Sequence, residues 1–575
     1  MSWLSYCYKT YQNSVSEIGK QQPGKVPLLP VAHTTQQVNI EVELDKDGNF
    51  QYAGLLAQDQ RTTIIPCTEE SSARTSGMVP HPLVDKLQYI AADYPTFGGS
   101  KESGWPLYHK QLQAWCTSPY AHPAVCTVLH YLEKECLIAD LVKANILFID
   151  ENGTLPTKWQ GNKEDKPPIL DTLTGSDQTE SFVRFRVDNV DLSRDTTVRE
   201  SFIRFYETQL KDIDYCTVQG IKMPISTLSP YKIRNPGDRA KLISSNDNTN
   251  YTYRGRFADA AQALSIGYET TQKAHSALRW LVSKQGVNTG DQTVLVWGTQ
   301  NEAVPNVLGD TLDIAQEYNP LAGDDWDDFE EDTERLPADT QEEIARQFNR
   351  AILGYQHQLK DNSQTAVMIL DSATPGRLSI RYYQELQGSK LLANIKDWHD
   401  AFQWQLEYRS VEEPTELGKK PKIKKVVFVG APAPADIAKA AYGEKVDAKL
   451  KQATIERLIP CITNGERFPR DLMISAVDRA TNSIGLDYWE QQKTQNIACA
   501  LVRGYYHRNK KVDYPMNVDE TIKDRNYLFG RILACAEQIE RRALIQLGNE
   551  SEKRLTNAER LRTAFALHPA ATTLL

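Results

Sequence analysis

The apolar residues of this chain change period along its length, and that constrains the fold more than any single motif does. Between 38 and 66 they alternate with polar residues, at Val38, Ile40 and Val42, then Phe50, Tyr52 and Ile64-Ile65. This predicts short strands around an Asp47-Gly48 turn. From Leu83 the spacing lengthens: Leu83, Leu87 and Ile90, then Leu107, Leu112 and Trp115, then Val125, Leu129 and Leu132 predict three amphipathic helices. Strict alternation returns at 180–190 (ESFVRFRVDNV), where it puts Arg184 and Arg186 on one strand face. A helical stretch follows at 199–210, and a longer one runs through Ala261, Leu264, Tyr268, Thr271, His275, Leu278 and Val282. That spacing makes one buried stripe, with His275 on it as a satisfied core histidine and Lys273 and Arg279 off it. Strands are expected at Thr293–Trp297, 366–371 and 378–383, a helix at about Leu391–Trp404, and helical pattern from Lys425 to the end.

The fold class this implies is α+β. A mixed N-terminal region of short sheets and helices (1–455) precedes a C-terminal α-helical bundle (456–575), with Pro460, Asn464-Gly465 and Pro469 marking the boundary. An acidic linker or loop is expected at about 302–338. Its centre, Asp324 to Glu334 (DDWDDFEEDTE), carries eight acids and no base, nearly the whole of the formal net charge of −9. The remainder is close to neutral, with room for local basic surfaces. The nine cysteines form no CxxC pair, so a structural zinc site is not expected and reduced thiols in a cytoplasmic protein are the simplest reading. No run of about 20 apolar residues predicts a membrane span, and the N-terminus lacks the pattern of a secretory signal.

Catalytic motifs are sparse. There is no GxxxxGK[ST], HExxH or GxSxG string. His399-Asp400 matches a pair that some metal-dependent phosphohydrolases use, yet the ten histidines do not cluster around it. Asp212 and Asp214 suit a solvated turn better than a metal. Signals for nucleic acid are more numerous. Tyr251–Phe257 (YTYRGRF) interleaves aromatics that could stack on bases with arginines that could meet phosphates. The ordinary alternative, a strand with core aromatics and surface arginines, stays open. Lys419–Lys425 holds five lysines in seven residues, either a phosphate-tracking segment or a solvated loop. Arg74, Thr75 and Ser76 lead by a short loop towards Lys86 and Gln88, which suits a phosphate or a groove edge.

Several long strings occur together and in a fixed order. They are RTSGMVPHPLVDKLQYI (74–90), SFVRFRV (181–187), KIRNPGDRAKLISSNDNTNYTYRGRF (232–257) and GYETTQKAHSALRWLVSKQG (267–286). LDSATPGRLSIRYYQEL (370–386), ACALVRG (498–504), RNYLFGRILACAEQIE (525–540) and TNAERL (556–561) follow. This set resembles the large-subunit family of the type I-C CRISPR interference complex, Cascade. The resemblance implies a non-catalytic subunit with no cofactor. Such a subunit reads the protospacer-adjacent motif on double-stranded DNA, helps open the duplex into an R-loop and holds the displaced strand. The partners implied are the guide-RNA-containing subunits (backbone, guide-processing and small), the target duplex and a recruited helicase-nuclease, with no membrane.

On this resemblance the motif-reading residues are Arg74, Thr75, Ser76, Lys86 and Gln88, with Gly98, Gly99 and Lys101 as a phosphate clamp. Lys86 stands where the family pattern leads one to expect Asn. Opened strands would be held by Arg184, Arg186, Arg234, Lys241, Asn246, Arg254 and Arg256. The displaced strand would meet Arg503, Arg508, Lys510, Lys511 and Arg525. The family also makes its C-terminal part separately by internal initiation, for which Met473 is the well-placed methionine. Two other readings remain: a metal-dependent nuclease built on His399-Asp400 or the scattered acids, and a structural adaptor without direct DNA reading.

Overall fold

The structure is a computed structural model. It describes residues 2–74, 77–99, 101–156, 159, 166–173, 175, 177–235, 237–244, 256–257, 260–317, 341–359, 363–374, 376–412, 422–482, 486–547, 556–558, 560–561 and 564. Thr75, Ser76, Asn246, Arg254 and the acidic run 324–334 therefore lie outside the described residues. The chain forms two compact units. Unit 1 comprises Met1–Leu295, Thr299–Asn301 and Met368–Tyr383; unit 2 comprises Val296–Gly298, Glu302–Val367 and Gln384–Leu575. The expected division at 455/456 instead falls inside the helix Ala448–Thr463, which carries Pro460 in its interior.

In unit 1, β1 (His33–Gln37) pairs antiparallel with β4 (Thr62–Pro66). The main sheet has the order β3 (Phe50–Leu55), β2 (Ile40–Leu44), β6 (Phe182–Val187), β5 (Asp85–Lys86), with β7 (Val190–Asp191) also on β6. β2 and β6 run parallel, Ile40 opposite Val183 and Val42 opposite Phe185. Because side chains alternate across a strand, this register sends Ile40, Val42, Leu44, Val183, Phe185 and Val187 into one buried core. Glu41 and Arg184, also opposite each other, take the other face together with Arg186, as the alternation predicts.

The core is closed by α2 (Trp105–Cys116), α3 (Pro123–Leu132), α4 (Leu137–Lys143) and α5 (Thr196–Glu207), which contribute Trp115, Val128, Leu141 and Phe202. Trp115 is fully buried and its indole N–H donates to Ser201 Oγ at 2.9 Å, so its one polar group is satisfied. The long helix α6 (Tyr268–Gln285) packs against α1 (Trp3–Asn13).

Two expected helices differ. The Leu83–Ile90 pattern yields only one helical turn, Leu87–Ile90, because Asp85 and Lys86 pair with Val183 and Phe182. The 261–282 pattern breaks at 265–267, where the Ser265 and Ile266 carbonyls accept from Thr217 N and Ser226 N rather than continuing a helix. Arg279 is also not off the buried stripe: it is 7% exposed.

The strands β8 (Ile213–Tyr215) and β9 (Lys222–Pro224) pair antiparallel, and β10 (Val287–Thr289), β11 (Gln292–Gly298), β12 (Gln364–Thr374) and β13 (Arg377–Gln387) form a four-stranded sheet in that order. Unit 2 adds α7 (Thr311–Glu317), α8 (Gln341–Gln358), α9 (Gly388–Ala401) and the hairpin of β14 (Trp404–Glu412) with β15 (Lys422–Gly430). Lys422–Lys425 thus stand on a strand, where the sequence left a phosphate-tracking segment and a solvated loop open, and the stretch after Lys425 continues that strand where helical pattern was expected. The remaining helices are α10 (Pro434–Tyr442), α11 (Ala448–Thr463), α12 (Arg470–Thr481), α13 (Tyr488–Tyr505) and α14 (Arg525–Gln546). Met473 lies in the first turn of α12, 9% exposed. The unit's centre is aromatic: Trp398 and Phe402 rings lie 4.1 Å apart, and Phe402 and Phe468 5.0 Å.

Candidate nucleic-acid interface

The segment 68–104 folds around two buried acids. A capping box between Thr68 and Ser71 starts the short turn Glu69–Ser72. Glu69 is buried and reaches to the 226–228 backbone, accepting from Thr227 N at 3.0 Å and Leu228 N at 2.9 Å. This ties the Arg74 loop to the segment that leads into Lys232–Lys241. Asp85 is fully buried; it accepts His81 N at 2.7 Å and both arms of the Arg74 guanidinium at 2.8 and 3.0 Å. Arg74 also donates to Val79 O and stacks over Tyr89 at 4.5 Å. The guanidinium is consumed by its own loop, so this member of the proposed reading set is held inside the fold.

The lysines differ. Lys86 from β5 and Lys101 from the glycine-rich loop converge on Glu180, Lys101 at 2.5 Å, with Asp177 3.5 Å from Lys101. Burial pushes Glu180 up, but the Lys101 and Lys86 ammoniums outweigh it and hold the carboxyl below the usual carboxylate range. Lys101 keeps 47% of its side-chain exposure. Gln88 donates to Glu102 O at 2.8 Å and fixes the loop's far end. Gly98 has φ +77°, a backbone position that favours glycine, and a Cβ on Gly99 would run into the Tyr94 ring. Gly98 and Gly99 are therefore packed against the base of the loop, near Lys101.

Positive charge gathers beyond these pairs. His81 is buried and held down to about 4, first by burial, with Arg74, Lys232 and Lys86 opposing its protonation against the pull of Asp85. The segments read separately as motif-reading (74–101) and strand-holding (from 232) thus meet in one basic neighbourhood.

The other predicted residues divide sharply. Arg184 is 6% exposed and is paired with Glu41 at 2.6 Å and Asp191 at 3.6 Å. Arg186 donates to Asn189 O, and Arg234 is paired with Asp238 at 2.9 Å. Lys241 pairs through its backbone, accepting from Leu378 N. Arg256 is exposed, over the Phe257 ring. In unit 2, Arg503 donates to the carbonyls of Asp400, Ala401 and Gln403, closing the C-terminus of α9. Arg508 is 6% exposed, beside Asp397 and over Trp398. Lys510, Lys511 and Arg525 are exposed. Arg184, Arg503 and Arg508 are therefore internal braces in place of the surface contacts expected of them, because each meets carboxylates or carbonyls that its own fold leaves open.

His399 is buried, hydrogen-bonded to Thr311 Oγ1 at 2.8 Å and packed on Phe348, while the neighbouring Asp400 is half exposed and paired with Lys396. Successive helical residues point about 100° apart, so the two do not converge. Among the described residues, no three of His, Cys, Asp and Glu stand together as a metal site, and no helix is long and apolar enough to cross a membrane. Sequence reasoning missed Asp85, Glu180, Lys232 and Arg279. Lys232 was visible in the 232–241 string, but the acids that hold the lysines carry no local motif.

Comparison with curated proteins finds no match. The family described as CRISPR-associated protein (Cas_Csd1) matches residues 7–574. With that match running over nearly the whole length, the chain belongs to the Cas_Csd1 family of CRISPR-associated proteins.

Proposed function

We propose that this chain is the non-catalytic large subunit of a type I-C interference complex. In this reading it recognises the protospacer-adjacent motif in double-stranded DNA, helps open the duplex into an R-loop and holds the displaced strand while a separate helicase-nuclease is recruited. Family membership supports a role within a CRISPR complex. The observation that carries the finer reading is the convergence of Lys86 and Lys101, from separate segments, on the part-exposed Glu180. Two ammoniums here face two carboxylates, Glu180 and Asp177, so a phosphate would draw on Lys101, the more exposed of the two lysines, in exchange for these partners. Motif reading needs only a few such groups at a groove, since guide pairing supplies most sequence specificity. Lys510, Lys511 and Arg525 in unit 2 remain exposed for a single strand.

The test uses guide-loaded complex carrying the full chain with Lys86→Glu and Lys101→Glu together. Affinity for motif-bearing duplex should fall at least about tenfold, while pre-opened DNA of the same sequence binds as before. Equal loss on both substrates, or no loss on either, would remove this surface as the reading site.

A further inference from the structure

A second feature of unit 1 lies outside the Lys86–Lys101 pair. A cavity of about 50 Å³ is lined by Leu29, Cys67, Tyr231, Lys232, His275 and Arg279, among others. Its floor is buried, with His275 2% and Arg279 7% exposed, and its rim is half-buried at Tyr231 and Lys232. Arg279 spends one arm on Thr35 Oγ1 at 2.8 Å, but its Nε is buried with no hydrogen-bond partner among the described residues. His275 donates its Nδ1–H to Thr271 O at 2.8 Å, so its Nε2 is a bare lone pair, without a partner among the described residues, that offers an anion no donor. Lys232 sits in the left-handed region at φ 64°, and its ammonium lies 5.4 Å from the Tyr231 ring. No carboxylate pairs with Lys232, Arg239 or Arg279 among the described residues.

Buried cations are ordinarily neutralised by acids, and an unneutralised one is costly. Here burial lowers both Arg279, to about 10, and Lys232, and Arg279 and Arg239 lower Lys232 further. Water could satisfy a stray N–H, but it would leave the charge uncompensated. A volume of this size has room for one small polyatomic ion. The positive φ at Lys232 is also unfavourable for a residue with a Cβ, and such strain clusters where a side chain must be aimed.

We propose that the cavity lined by Lys232 and Arg279 is an oxyanion site that receives one phosphate group of a nucleic-acid strand. The oxyanion chemistry stands on the cavity itself; the nucleic acid as its source rests on the function proposed above.

The experiment melts the full chain in inorganic phosphate and in chloride of matched ionic strength, for the unaltered protein and for Lys232→Gly and Arg279→Gln. Phosphate at about ten times its Kd should raise the melting temperature of the unaltered chain by roughly 3 °C, and neither variant should respond. Lys232→Gly guards against misfolding as an explanation, since glycine takes φ 64° without strain and should melt no lower than the parent in chloride. In the DNA arm, Lys232→Gly should make the salt dependence of binding shallower by about 0.9 in the log–log slope. A phosphate response lost in both variants with an unchanged DNA slope would assign the site to free phosphate and overturn the nucleic-acid source. No specific response of the unaltered chain to phosphate would overturn the site altogether. Lys86 and Lys101 do not line this cavity, so failure of the motif-reading surface is read separately.

Discussion

Asp85 has no exposed surface, and its two oxygens accept from Arg74, His81 N and Lys86 N. Removing the guanidinium would strand that carboxylate in the interior. Arg74→Met should therefore cost unit 1 about 3–5 kcal/mol. Lys101→Met, at an ion pair that is half exposed, should cost no more than about 1 kcal/mol. Urea midpoints of the two variants check this, and a loss below about 1 kcal/mol for Arg74→Met would mean that its guanidinium is free for a ligand. The sequence singled out both residues as basic side chains near a turn. It could not separate them, because the acid that claims Arg74 stands eleven positions on and the one that claims Lys101 stands beyond three helices.

Among the elements, α9 shows how a brace can resemble a contact. Arg503 closes its last carbonyls, and the next residue, Gly504, lies so near Phe402 that an added Cβ would overlap the ring. On an exposed helix Gly→Ala would add up to about 1 kcal/mol of stability. Here Gly504→Ala should lower the stability of unit 2 by about 1–3 kcal/mol, measured by chemical unfolding, because the aromatic centre must shift. An unchanged or raised midpoint would show that Phe402 yields freely. The string ACALVRG was legible as a helix with a basic end, but the contact that fixes Arg503 and Gly504 comes from about a hundred residues earlier in the chain. The strands β2 and β6 were legible because their periodicity is the cause of their burial. β5 and β15 were not. Two residues show no period, and the lysines of β15 mask its alternation, so pairing partners decide both.

For unit 1 as a whole, buried histidines set the response to acid. His33, His81 and His275 are each lowered to about 4, in every case chiefly by burial, against an ordinary 6.5. The unfolded chain takes up these protons below pH 6.5 and the folded chain does not, so stability present above 6.5 is lost as pH falls towards 4. Asp93 works in the opposite direction: burial lifts it to about 6, so the folded state gains a proton first as pH falls below 6. Three histidine protons against one carboxyl leave a net loss of at most about 2.7 kcal/mol per pH unit, steepest between pH 5 and 6 and fading towards 4. Urea midpoints at pH 7, 6 and 5 should fall accordingly, and a flat profile would place these imidazoles in contact with water.

The path of the chain carries one more consequence. β11 ends at Gly298 and its sheet neighbour β12 begins only at Gln364, with part of unit 1 completed by Met368–Tyr383. Every residue of β11 is buried in the finished fold, so on the ribosome this strand emerges with one edge unfilled. At ~5–20 residues per second the wait for its partner lasts on the order of 3–13 s. Translation speed between those two strands sets the least time for which a hydrophobic nascent edge must be kept from neighbouring chains.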